Sequence, residues 1–188
     1  MARTTRRQLT NLLGALGLVA VLAALVVGLP AIDRWLPSDR AVSADEPYPV
    51  GGGVTVVPPP GSTVDVSATR PGDDAGTVLF HLGPVRYAIV VRPFAGDLEA
   101  AAARLRQRIT STAGYQVTGD QLAVHTVAGL TGLQGGYTAP GQGGRYAVFV
   151  TAGLTIEVTI SGGALDLGRT LPGIERSTRT LRHDGTLR

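Results

Sequence analysis

The sequence predicts an α+β fold: an N-terminal transmembrane helix, then an antiparallel β-sheet domain packed with two helices. Three observations carry this. A run without any charged side chain extends from Gln8 to Ile32. Downstream, several short segments alternate apolar and polar residues, the period of a half-buried strand. Two further stretches place apolar residues on one side of a helix.

The run Leu12 to Leu29 reads LLGALGLVAVLAALVVGL. A bilayer core needs about 20 apolar helical residues, and this run has that length. A buried helix of a globular domain would show a polar face, and this one shows none. Arg3, Arg6 and Arg7 precede it without an acidic neighbour, while Asp33, Arg34, Asp39, Arg40, Asp45 and Glu46 follow it. Positive charge stays on the cytoplasmic side, so the chain after the helix is expected outside. The expected organisation is a cytoplasmic tail (1–8), a transmembrane helix (9–32), a linker (33–50), an extracytoplasmic domain (51–182) and a tail (183–188). The alternative is a cleaved signal peptide. Val42-Ser43-Ala44 has the small residues of a cleavage site but lies far downstream of the apolar core. Thr5-Arg6-Arg7-Gln8-Leu9 faintly resembles a twin-arginine export signal.

Composition removes several kinds of chemistry. There is no cysteine, hence no disulfide, thiol nucleophile, Cys-ligated zinc or lipid-modified cysteine. All 17 basic residues are arginine, so no Schiff-base lysine, Walker lysine or Ser-Lys dyad exists. Arginine in place of lysine suits a GC-rich genome. Setting Arg3, Arg6 and Arg7 aside leaves 14 arginines against 14 acids. The exterior part is therefore neutral, and no nucleic-acid partner is expected.

The polar, proline-punctuated stretch from Asp33 to Pro49 reads as a juxtamembrane linker. Val54 to Val57 reads as a short strand stopped by Pro58-Pro59-Pro60, because proline cannot donate to a sheet ladder. Ser62 to Gly76 reads as a polar loop with turn residues. Thr77–Leu82 and Val85–Arg92 form a hairpin turned at Gly83-Pro84, with Val85, Tyr87, Ile89 and Val91 on one face.

Asp97 to Thr110 is the clearest helix of the domain. Leu98, Ala102, Leu105 and Ile109 make its apolar stripe, Asp97 can cap it, and Arg104, Arg106 and Arg108 load its C-terminal half. Four strands are expected next: Leu122–Val127, Leu130–Ala139, Arg145–Thr151 and Leu154–Ser161. The last two form a hairpin across Ala152-Gly153. In the last strand Leu154, Ile156, Val158 and Ile160 face inward, and Thr155, Glu157 and Thr159 outward. A closing helix is expected over Thr170 to Arg182, with Thr170 as cap and Pro172 in its first turn. Ile174, Thr178 and Leu181 form its inner face.

The opening segment GVTVVPPPG (53–61) resembles the strand followed by proline-proline-glycine that begins PsbP-like domains. These include a photosystem extrinsic subunit, a Ran-binding nuclear-transport factor and actinobacterial envelope lipoproteins. The later segment GLTGLQGGYTAPGQGGRYAVFVTAGLTIEVTISG (129–162) and the closing helix resemble actinobacterial single-pass membrane-anchored proteins with such a domain. The resemblance spans Gly51 to Arg182 and implies an envelope binding or assembly role. Two departures stand out. Ser62 occupies the place of the usual aromatic, and an apolar helix replaces the lipoprotein cysteine.

No residue set amounts to a catalytic, cofactor or metal signature, so none of these is expected. His81, His125 and His183 are too scattered for a zinc site and read as structural or surface residues. Asp73-Asp74 reads as a solvated turn and Asp97/Glu99 as helix capping. No serine lies in a Gly-x-Ser-x-Gly elbow. The glycine-rich segment from Gly129 to Gly144 reads as a hairpin tip with bulges. Tyr137, Arg145 and Tyr146 around it are residue types enriched at interfaces and are the expected partner contact. The expected function is a non-catalytic, membrane-tethered module of the cell envelope that binds an envelope protein. The alternatives are a small-molecule or lipid-binding domain, with a pocket between sheet and helix, and a hydrolase.

Overall fold

A computed structural model describes residues 39–185 of the chain. The expected membrane helix over 9–32 lies outside the described residues. Among those described, no helix is long and apolar enough to cross a membrane.

The strands in chain order are β1 (Asp39–Ala41), β2 (Tyr48–Gly51), β3 (Val54–Val56), β4 (Thr63–Asp65), β5 (Arg70–Pro71), β6 (Gly76–Leu82) and β7 (Val85–Pro93). Helix α1 (Leu98–Thr110) follows, then β8 (Gln116–His125), β9 (Thr131–Ala139), β10 (Gln142–Thr151) and β11 (Leu154–Gly162). Helix α2 (Ala164–Arg179) and β12 (Arg182–His183) complete the fold. Nine strands build one antiparallel sheet in the order β1-β4-β6-β7-β11-β10-β9-β8, with β5 on the same edge of β6 as β4. Strands β12, β3 and β2 build a second, smaller sheet.

Local chemistry explains the sharp corners. The β10–β11 hairpin turns on Ala152 (φ 45°) and Gly153 (φ 77°). Positive φ at both central residues matches the right-handed twist of the paired strands. Helix α1 begins where Asp97 accepts a hydrogen bond from Ala100 N at 2.8 Å. Val57, the last residue before the prolines, is held by the end of α2. Ser177 Oγ donates to Val57 O at 2.5 Å, and Val57 N donates to Thr180 Oγ1 at 2.8 Å. Ser62 is buried and donates to Pro59 O at 2.7 Å.

The large sheet buries both faces. On one face Tyr87, Ile89, Phe149, Ile156, Val158 and Ile160 meet Ile174 of α2 and the valines of the small sheet. On the other, Tyr137, Tyr146 and Val148 meet Ala101, Ala102, Leu105 and Ile109 of α1. Buried aliphatic and aromatic side chains contribute about 1.5–3 kcal/mol each, so these two layers dominate stability.

Several expectations are corrected. Residues 33–50 are not wholly a linker, since β1 pairs with β4 and β2 with β3. The loop Ser62–Gly76 contains β4 and β5. The closing helix starts at Ala164, not Thr170. Thr170 instead donates back to Asp166 O at 2.8 Å, and Pro172 lies inside the helix. His183 is not tail but part of β12, paired to Val54.

Tyr87 is fully buried, and its hydroxyl lies 3.1 Å from Thr178 Oγ1. Burial pushes its pKa from 10.0 up to about 12, against the opposing hydrogen bonds of Thr178 and Ser177. A phenol with a raised folded pKa holds its proton more tightly when folded. Its contribution is complete below pH 10.0 and lost as pH rises through about 12. Urea midpoints measured across that window should fall steeply in the native protein and less steeply in Tyr87→Phe.

Candidate functional site

The expected contact set separates in space. Tyr137 and Tyr146 are 6% and 1% exposed and sit beneath α1. Arg145 lies on the opposite face of β10, with Nη1 3.8 Å from Glu175 Oε1 of α2. The expectation of one surface made by Tyr137, Arg145 and Tyr146 is therefore corrected: both aromatics are core residues. The reason lies in their cross-strand partners. Tyr137 is paired with Gly144, and Tyr146 with Gly135. A Cβ at Gly135 would lie 2.5 Å from the Tyr146 hydroxyl oxygen, and one at Gly144 would collide with the Tyr137 ring. The glycines let each ring lie flat across the neighbouring strand. Tyr137 reaches beyond β10 to donate to Ile160 O of β11 at 2.9 Å and stacks on Tyr115, ring centres 5.9 Å apart. Burial raises its pKa above the ordinary phenol value. The Tyr146 hydroxyl is buried without a hydrogen-bond partner.

A different site opens beside α1. Thr155 and Glu157 of β11, expected to face solvent, are only 4% and 7% exposed. They share the sheet face that α1 covers, but α1 lies mainly over β8, β9 and β10. Between the helix edge and β7/β11 a cleft of 470 Å³ remains, lined by Arg92, Phe94, Arg104, Arg108, Thr155 and Glu157 among others. Arg104 and Arg108 are four residues apart, so both project on the same side of α1. Arg108 Nη2 donates to Glu157 Oε1 at 2.5 Å, and Arg92 Nη1 lies 3.9 Å from Glu157 Oε2. The Arg104 guanidinium sits 5.0 Å over the Phe94 ring. Three guanidinium groups against one carboxylate leave the cleft a net charge of +2. Thr155 also lines it, and its Oγ1 is buried without a hydrogen-bond partner. The clues to this cleft were polar residues in a strand of a two-sided sheet and arginines at helical spacing.

A third cluster comes from distant segments. Asp39, Asp65 and His81 bring one ligand atom each within 4.8 Å of one another. His81 Nδ1 lies 3.2 Å from Asp39 Oδ1. Asp65 accepts from Ser67 Oγ at 2.6 Å and from the backbone N–H groups of Ser67 and Ala68. Ser67's hydroxyl, those N–H groups and nearby His81 hold its carboxyl below the usual range, despite slight desolvation. Ser67 gives its hydrogen bond to a carboxylate rather than to imidazole, which is not the geometry of an activated nucleophile. Sequence reading missed this grouping because only the β1–β4–β6 pairing creates it.

No protein-family profile matches this chain, and no curated protein matches it in sequence. Among solved structures it is similar to the solution structure of cyanobacterial PsbP, CyanoP, from Synechocystis sp. PCC 6803. The TM-score is 0.55 at 12% identity, over 77% of this chain and 95% of that chain. The antiparallel sheet with two helices is thus a PsbP-like fold. At this identity the likeness concerns the fold alone.

The tyrosine geometry separates two conservative substitutions. Tyr137→Phe loses a buried hydrogen bond and should cost about 0.5–1.5 kcal/mol. Tyr146→Phe removes a buried hydroxyl that bonds nothing and should be neutral or stabilising. Urea denaturation of the two variants checks the difference.

Proposed function

We propose that this chain is a non-catalytic, membrane-tethered binding or assembly module of the cell envelope. The observation that carries this reading is the charge-free apolar run from Gln8 to Ile32, flanked by arginines before it. It leads into a PsbP-like domain. The neutral exterior disfavours a nucleic-acid partner and suits an envelope protein. The titratable groups described above act in ion pairs, caps and turns, which favours binding over catalysis. The tether places the domain outside the cytoplasm, because the arginine-rich flank stays inside.

A second reading, ligand binding by the domain itself, is favoured by the cleft between α1 and the sheet. Three arginines line that cleft, beside the apolar wall of Pro93, Phe94 and Ala101.

Topology is tested with fusions after Arg188. Alkaline phosphatase, active only after export, should be active there, and β-galactosidase should be inactive. The opposite pattern would overturn the tethered reading. A soluble mature chain starting between Ala31 and Asp45 would replace the anchor with a signal peptide.

A further inference from the structure

We infer that the cleft between α1 and strands β7 and β11 binds the dianionic phosphate of a phosphate monoester. This rests on the ligand-binding reading of the cleft and is independent of the membrane tether.

The chemistry of the lining selects the ligand. Arg92, Arg104, Arg108 and Gln107 all line the cleft and carry N–H donors. The one carboxylate, Glu157, is already engaged by Arg108 and Arg92. Glu157 thereby holds Arg108 by a hydrogen bond and Arg92 by a looser ion pair, leaving other N–H groups free, since each guanidinium carries five. The surplus charge of +2 is neutralised by a dianion, whereas a monocarboxylate leaves half of it unbalanced.

Thr155 is the second, independent sign. The residue lines the cleft, and its hydroxyl, buried just behind that wall, hydrogen-bonds to nothing in the protein. A buried hydroxyl without a partner is destabilising, so an acceptor that a small side-chain adjustment brings within its reach from the cleft gains an interaction that the empty protein lacks. Arg92 is the direct cross-strand neighbour of Thr155. A phosphate group presents three acceptor oxygens on one compact centre, suited to Thr155 and to guanidinium forks together. A dicarboxylate divides the same charge between two separated groups. The volume of 470 Å³ exceeds that of the phosphate alone and lies within the range of about 300–1,000 Å³ typical of ligand pockets. Pro93, Phe94 and Ala101 supply apolar wall for the esterified group. That group can belong to a soluble ester or to a lipid of the phosphatidic acid type; the phosphate chemistry is shared.

The test uses the full chain in zwitterionic detergent at low ionic strength. Calorimetry is run with glycerol 3-phosphate, dihexanoyl phosphatidic acid and succinate. Saturable binding of glycerol 3-phosphate is expected, with succinate much weaker. Thr155→Val and Arg104→Gln should each weaken it about tenfold. Thr155→Val should do so with an unchanged or raised urea midpoint, because it removes only the unpartnered hydroxyl. A purely structural threonine would give the reverse: lower stability and unchanged affinity. Tighter binding of phosphatidic acid supports the proposal with a lipid source; equal binding supports it with a soluble ester. Succinate binding as tightly as glycerol 3-phosphate overturns the phosphate assignment but leaves a ligand cleft. Binding of none of the three overturns both. Affinity unchanged by Thr155→Val and Arg104→Gln places the phosphate elsewhere and also overturns the proposal.

Discussion

Helix α1 rests on two tyrosine rings, and those rings lie flat only because the strand beside each carries glycine. Gly135 and Gly144 face Tyr146 and Tyr137 across the β9–β10 ladder. Glycine weakens a strand by its backbone entropy and lack of packing surface. Here the aromatic ring covers the bare backbone and returns buried area to the same place. The device recurs on the opposite face, where the Phe149 ring covers Gly132. With the rings flat, Ala101, Ala102 and Leu105 can close over them.

The position of α1 then decides what remains open. The other face of the sheet is covered by α2 and the small sheet, which bury β7, β10 and β11 together. Helix α1 covers the β8–β10 side and leaves part of β11 at its margin. Polar residues can occupy that margin if they are paired, and Glu157 meets Arg108 from the last turn of the helix. An ion pair with one buried and one half-exposed partner adds little net stability, but removing one member strands the other. The pair therefore fixes how the helix edge meets the sheet more than it adds to stability. The same margin contains the unpaired Thr155 hydroxyl and the arginine surplus. Fold and candidate site are consequences of one packing solution.

What was legible in the sequence follows from how local each signal was. The α1 cap and stripe, the Gly83-Pro84 and Ala152-Gly153 hairpins and the inward face of β11 depend on neighbouring residues, and they match the structure. The α2 start was misplaced because Thr170 and Pro172 imitate a helix beginning, while the true beginning at Gly163 has no side-chain cap. Strands β1, β2, β4 and β5 have two to four residues, too few for a period to show. Thr155 and Glu157 alternate as a solvent face would, since period two reports polarity and not what covers it. Tyr137 and Tyr146 looked like interface anchors beside flexible glycines. Their role was readable only through register: a two-residue turn at Pro140-Gly141 pairs each tyrosine with a glycine. The Asp39–Asp65–His81 grouping depends wholly on long-range pairing and leaves no local trace.

A double-mutant cycle on Gly135 and Tyr146 tests the seating of α1 most directly. The nearest atoms to a Cβ at Gly135 are all in the Tyr146 ring and hydroxyl, so the interaction can be isolated. Gly135→Ala in the native background should destabilise the domain in urea denaturation. In a Tyr146→Ala background the same change should be nearly neutral, giving a coupling of about 1–3 kcal/mol. Additive effects of the two substitutions would contradict the account, because the glycine would then serve something other than the ring.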